Sequence, residues 1–177
     1  MIKKILLTTL FCVTNVAYGA AFTANMVDLQ SGKSVGHVEI TESRHGMVFT
    51  PSLSGIRVRK GGTHGFHVHE NPSCAPSVRD GRVIPGGAAG DHYDPDNTDR
   101  HGHPWTDNNH RGDLPQTYID DNGQVTMPVL APRLKPADFA GGRSLMIHVG
   151  GDNYSDTPAL NGGGGARMIC GVIKPQE

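Results

Sequence analysis

The chain has 177 residues, 36% hydrophobic and 19% charged. That is the length of about one domain, with a globular rather than a disordered composition. A formal net charge of −1 excludes the basic field that nucleic-acid binding calls on. Only residues 1–19 carry a long apolar run, so nothing after them is apolar enough to span a bilayer. Glycine at 24 and proline at 12 favour turns and strands over long helices, and ten histidines stand out against four tyrosines and one tryptophan.

The N-terminus reads as a secretory leader. Lys3 and Lys4 form a positive segment, residues 5–16 are mostly apolar, and Ala17-Tyr18-Gly19 places small residues before a cut at Ala20. Residues 1–19 are therefore expected to be a cleaved signal peptide and 20–177 the mature domain, though a cut one or two residues later fits as well. A membrane-anchoring helix is the alternative, against which the short apolar run speaks. Cys12 suggests a lipid anchor, but Phe11 is too large for the residue preceding a lipidated cysteine. Removing residues 1–19 takes away two of the sixteen cationic residues and none of the seventeen acidic ones, which leaves a net charge of −3. It also leaves two cysteines, Cys74 and Cys170. In an oxidising compartment they read as one disulfide. A pair of metal thiolates is the alternative, without C-x-x-C spacing to support it.

Coarse alternation then marks short strands in chain order. Residues 22–29 and 34–41 are joined at Ser31-Gly32-Lys33, a plausible tight turn, and 45–50 follows. Residues 65–70 come after the Gly61-Gly62 turn. Residues 117–120 and 124–129 flank Asp121-Asn122-Gly123, a hairpin signal because Asn-Gly suits turns that need positive φ. Residues 144–149 and 167–173 close the set. Eight short strands without a convincing helix point to an antiparallel sandwich or barrel.

Two stretches break this pattern. Residues 71–114 show little periodicity, much Gly, Pro and Asp, and four of the ten histidines; residues 150–165 are polar and end in four glycines. Loops this long are uncommon in compact domains and tend to be functional. A metal together with a disulfide would order them. His67 and His69 lie on one face of a strand, about 6.6–7 Å apart along it, so both imidazoles can converge on one ion. His92, His101 and His110 with Asp113 give three imidazoles and a carboxylate, a set that suits Zn²⁺. His148 in the strand 144–149 reads, taken alone, as a hydrogen-bonded core histidine.

Taken in series these residues resemble the copper/zinc superoxide dismutases. The resemblance runs through Gly65-Phe66-His67-Val68-His69-Glu70, Gly90-Asp91-His92-Tyr93-Asp94-Pro95 and His110-Arg111-Gly112-Asp113-Leu114-Pro115. It continues through Leu145-Met146-Ile147-His148-Val149-Gly150-Gly151-Asp152-Asn153 to Gly162–Gly165 and the segment from Ala166 through Arg167 and Cys170 to Ile173. Order and spacing agree from about residue 34 to 174, and the Gly-Gly-Asp-Asn and Asp-Leu-Pro variants are similar to the bacterial periplasmic branch.

The resemblance implies an all-β fold, an eight-stranded antiparallel Greek-key barrel of immunoglobulin-like sandwich architecture with two long metal-site loops. It implies one copper per subunit on His67, His69, His92 and His148, and one zinc on His92, His101, His110 and Asp113, with His92 shared. Imidazole-only ligands suit copper, and the carboxylate-containing set suits zinc. Asp152 would bridge a copper histidine to a zinc histidine, and Cys74 and Cys170 would pair. Arg167 and His92 would be the catalytic residues, one holding the anionic substrate and the other moving a proton. The implied activity is dismutation of superoxide to dioxygen and hydrogen peroxide in the periplasm, protecting the exporting cell. No nucleic acid and no stable membrane anchor are expected after signal cleavage, and a homodimer is left open.

Some residues depart from the pattern or stay ambiguous. Asp91 stands where many members have glycine. His103 competes with His101 as a zinc ligand, His101 being favoured by register. His64 matches a structural hydrogen-bonding position. His37 and His45 read as exposed strand histidines. A copper/zinc-binding protein without turnover is a second reading; a zinc hydrolase is a remote third, since no H-E-x-x-H motif is present.

Overall fold

A computed structural model describes residues 21–58 and 61–176; the expected leader lies outside them. The chain begins with three antiparallel strands, β1 (Ala21–Asp28), β2 (Ser34–Ser43) and β3 (Gly46–Leu53). Ala24, Met26, Val38, Ile40, Met47 and Phe49 point inward from them and are fully buried. That is the period-two alternation of strands with one face on the core. The strands continue with β4 (Gly62–His64), β5 (Phe66–His69), the hairpin β6 (Ser77–Arg79) and β7 (Arg82–Ile84), β8 (Thr117–Ile119), β9 (Val129–Ala131), β10 (Arg143–His148) and β11 (Arg167–Pro175).

Seven strands form one curled antiparallel sheet in the order β5-β10-β11-β1-β2-β3-β9, and β4 pairs with β8 beside it. Three short 3-10 turns are the only helical elements among the described residues, and none is long or apolar enough to cross a membrane. The aromatic centre of the core is Phe49, whose ring stands edge-on to Phe66 at 6.0 Å and to Phe139 at 6.4 Å. Such edge-to-face pairs add about 0.5–1.5 kcal/mol beyond burial.

The strand expectations hold in outline: β4 is an addition, residues 124–128 form no strand beyond an isolated Val125 bridge, and two further differences follow. The Asp121–Gly123 turn forms, with Gly123 at φ +72° and Asp120 accepting from the amides of Asn122 and Gln124. Its flanks do not pair along their length as a simple hairpin, because β8 leaves for β4 and Val125 bridges Leu53 instead. Core burial of Ile119 and Val125 on separate partners overrides the local hairpin preference. The second difference lies inside residues 71–114, where β6 and β7 form a small hairpin with exposed Val78 opposite exposed Val83. Cys74 is bonded to Cys170 of β11 with a Cα–Cα distance of 5.8 Å, so this segment is tied to the sheet as expected.

Candidate metal centre

Strand β5 supplies two candidate ligands from one face. His67 and His69 point to the site while Phe66 and Val68 point into the core, and all four are buried. Strand β10 pairs with β5, setting Met146 opposite His67, and delivers His148 at its end. The long loop is locked onto β5 through its backbone. Tyr93 N donates to Val68 O at 2.8 Å, Val68 N to Gly112 O at 2.9 Å, and Gly112 N to Tyr93 O at 2.8 Å. A Cβ at Gly112 would lie 2.2 Å from Val68 O, so only glycine lets the loop approach this closely. The result places His92 beside His69 and Asp113 beside His67.

Second partners fix which nitrogen of each ring is free. His69 Nδ1 donates to Gly90 O at 3.0 Å, and His148 Nδ1 to Gly165 O at 3.1 Å. A carbonyl can only accept, so in both rings Nε2 keeps its lone pair. These two nitrogens face each other at 3.4 Å. His67 Nε2 bonds Asp152 Oδ2 at 2.8 Å, and its buried Nδ1 has no hydrogen-bond partner among the described residues. His92 turns Nδ1 to Asp113, and its ring stacks on His67 at 4.0 Å. Ligand atoms of His67, His69, His92 and His148 all lie within 4.8 Å of one another.

The second set converges on one oxygen. Asp113 Oδ1 lies 2.9 Å from His92 Nδ1, 2.9 Å from His101 Nδ1 and 3.3 Å from His110 Nδ1. Asp113 Oδ2 is already occupied by Gly102 N at 2.9 Å and Asn109 Nδ2 at 3.0 Å, so the carboxylate has one oxygen to offer. Here the ligand atoms of His67, His92, His101 and Asp113 lie within 4.8 Å of one another, and His110 Nδ1 reaches the same carboxylate oxygen at 3.3 Å. His67 has already given Nε2 to Asp152, and its remaining nitrogen belongs to the imidazole-only set. His110 is the histidine whose free side faces the carboxylate.

Asp152 joins the two groups, Oδ2 to His67 Nε2 at 2.8 Å and Oδ1 to His101 Nε2 at 2.7 Å. The glycine tract makes room for it: Gly162 has φ +69°, and a Cβ there would lie 2.0 Å from Asp152 Oδ1.

Charge follows this layout. Burial, reinforced by neighbouring histidines, pushes His67 and His148 down to about 4 and His92 to about 3, and holds His69 well below the ordinary value. Uncharged imidazoles are the ligand form. Burial opposes charge on His101 too, but hydrogen bonds to Asp113 and Asp152 outweigh it and raise the group to about 9. Burial would raise Asp113 and Asp152, yet the histidines bonded to them hold both below the usual carboxylate range. The site is thus built to take a cation between imidazoles and carboxylates.

Arg167, at the start of β11, is half-buried and donates to Gly86 O at 2.7 Å and to Gly90 O, the same carbonyl that orients His69. It lines a cavity of about 170 Å³ with Arg79, Ser77 and Gly165. Asp91 is exposed without positive φ and exchanges backbone and side-chain bonds with Glu70, so the loop accommodates it. His103 is exposed, stacks on Trp105 at 5.0 Å and meets a tilted Tyr154 ring at 4.7 Å, while His101 is the one that lies 2.9 Å from the Asp113 carboxylate. Buried His64 bonds His148 O at 2.8 Å, the structural role expected. Sequence reasoning missed Asn109, which is buried and saturates Asp113; nothing in a lone asparagine of a polar loop marks it.

The donor set fits two ions. Ligands about 2.0–2.1 Å from a tetrahedral metal lie about 3.3–3.4 Å apart. The 3.4 Å between His69 and His148 and the 3.3 Å between His110 and Asp113 match that spacing. Buried His67 Nδ1 has no hydrogen-bond partner among the described residues, and His101 Nδ1 faces only the Asp113 carboxylate at 2.9 Å. A family model described as copper/zinc superoxide dismutase matches residues 34–173. The chain is 51% identical to the Cu-Zn superoxide dismutase of Photobacterium leiognathi over 173 residues, 97% of this chain and 98% of that one. The solved Cu/Zn superoxide dismutase of Brucella abortus is 49% identical with a TM-score of 0.80, covering 87% of this chain and 99% of that one. The monomeric copper, zinc superoxide dismutase of Salmonella enterica is 46% identical with a TM-score of 0.74, covering 88% and 100%.

Proposed function

The chain belongs to the copper/zinc superoxide dismutase family, and from that premise we propose that it dismutates superoxide to dioxygen and hydrogen peroxide. Copper would be held by His67 Nδ1, His69 Nε2, His92 Nε2 and His148 Nε2. Zinc would be held by the Nδ1 atoms of His92, His101 and His110 and by Asp113 Oδ1. The observation that supports this reading is the pair of convergent donor groups, one free of carboxylate and one built on it, that share His67 and His92, with Asp152 occupying His67 Nε2 and Asp113 facing His92 Nδ1. Bound copper supplies the one-electron couple, and bound zinc, without redox chemistry, supplies fixed charge and geometry.

The remaining work falls to side chains. Arg167 has donors beyond those used on Gly86 and Gly90, and these bind the anionic substrate beside His69. His92 carries a proton at Nε2 toward the product while Nδ1 stays anchored on the Asp113 side. The overall reaction consumes two protons per two superoxide ions; His92 delivers one and solvent the other. Asp152 keeps His67 and His101 in the required tautomers from behind both sets.

Residues 1–19 act as the leader that exports the chain to the periplasm, where the Cys74–Cys170 bond persists and the activity protects the cell. N-terminal sequencing of the secreted form should begin at or within two residues of Ala20. The function is tested on the purified mature protein by metal content and superoxide consumption beside a His148→Ala variant. One copper and one zinc per chain with turnover that His148→Ala abolishes supports the assignment. Full metal content without turnover would make the protein a metal-binding relative instead.

A further inference from the structure

We propose that Arg133 is a positioning residue that holds the zinc-binding segment in its ligating shape; this rests on the assignment of His110 and Asp113 to zinc. Arg133 follows β9, and its neighbour Leu134 is fully buried, so its backbone is rooted in the barrel core. Its side chain crosses to the long loop. Nε donates to Pro104 O at 3.2 Å, Nη1 to Asn109 O at 3.1 Å and Nη2 to His110 O at 2.5 Å. One planar guanidinium therefore fixes three main-chain carbonyls, the last belonging to a zinc ligand. Only arginine offers that many donors in a rigid fork.

Asn109 carries the constraint onward. Its carbonyl is held by Arg133, and its buried amide lies 3.1 Å from His103 O and 3.0 Å from Asp113 Oδ2. Its Oδ1 accepts from Thr106 Oγ1 at 2.7 Å. Gly102 packs so closely that a Cβ would lie 2.8 Å from Asn109 Cγ. A continuous path thus runs from the core through Arg133 and Asn109 to the back of Asp113, and it leaves Asp113 Oδ1 and His110 Nδ1 to face each other and the histidine cluster.

The sign of the effect separates this role from a purely electrostatic one. A positive charge near the site opposes cation binding, so a charge role alone predicts tighter zinc in Arg133→Gln. Loss of the fork predicts weaker zinc in both Arg133→Gln and Arg133→Lys, because lysine keeps the charge and cannot span three carbonyls. The measurement is zinc affinity of the mature protein by competition with a chromophoric chelator, with the visible copper(II) absorption recorded alongside. We expect both variants to bind zinc about 10–100-fold more weakly with the copper band unchanged. Wild-type affinity in Arg133→Lys, or tighter zinc in Arg133→Gln, would overturn the role. Should the arginine variants unfold, Asn109→Ala takes their place, with the same loss expected and an unchanged affinity counting against it. His110→Ala is the control: if it alone retains wild-type zinc affinity, the ligand assignment has failed rather than the clamp.

Discussion

Strands β1 to β3 and the loop around His92, His101 and His110 are both ordered, but by different forces. In the strands, apolar side chains alternate with polar ones, and Ala24, Val38, Ile40, Met47 and Phe49 vanish into one core. The loop contributes little to that core: Tyr93 packs on its margin, and Ala89 and Leu114 are buried. It is held instead by main-chain bonds to Val68, by the disulfide, and by three imidazoles gathered on a single carboxylate oxygen. Burial of apolar surface is indifferent to metal, whereas polar convergence of this kind is completed by it. The barrel should therefore owe its stability to packing and the loop much of its rigidity to the ions.

Three substitutions probe that division. The largest effect belongs to Phe49→Ala, which removes the aromatic centre of the core. Denaturant unfolding should show a loss of about 3–5 kcal/mol, equal for metal-free and metal-loaded protein; a loss confined to the loaded form would break the comparison. Asp152→Ala should act the other way round. It leaves the barrel untouched but frees His67 Nε2 and His101 Nε2, and should weaken metal binding about 10–100-fold in chelator competition while the metal-free unfolding midpoint stays put. Smallest is Arg167→Glu, which removes the donors to Gly86 O and Gly90 O but replaces no metal-ligand candidate. Pulse measurements of superoxide decay should show kcat/KM lowered about tenfold at low ionic strength, with a weaker decline on adding salt. An unchanged rate and salt slope would remove Arg167 from substrate binding.

The same division explains what the sequence revealed. Strand positions could be read because alternation is a local signal, and the β1–β2 turn followed from Ser31-Gly32-Lys33. The pairing around Asn122-Gly123 could not, since Ile119 and Val125 find their partners across the barrel. At the site, His67 and His69 were legible as alternate residues of one strand. Separating His101 from His103 needed the family register, and the structure supplies the physical reason: His103 lies exposed against Trp105 and Tyr154, while His101 is buried beside Asp113. Asn109 and Arg133 left no trace in the sequence, because their roles consist of hydrogen bonds to carbonyls that any residue would present. The glycine tract was visible, but its purpose, the close pass of Gly162 by Asp152, exists only in three dimensions.

The central claim is that His92 serves both ions. Copper and zinc affinities of His92→Ala, His148→Ala and His110→Ala, measured by chelator competition on the same mature protein, test it most directly. The account predicts that His148→Ala weakens copper alone, His110→Ala weakens zinc alone, and His92→Ala weakens both. A His92→Ala protein that loses one metal and keeps wild-type affinity for the other would contradict it.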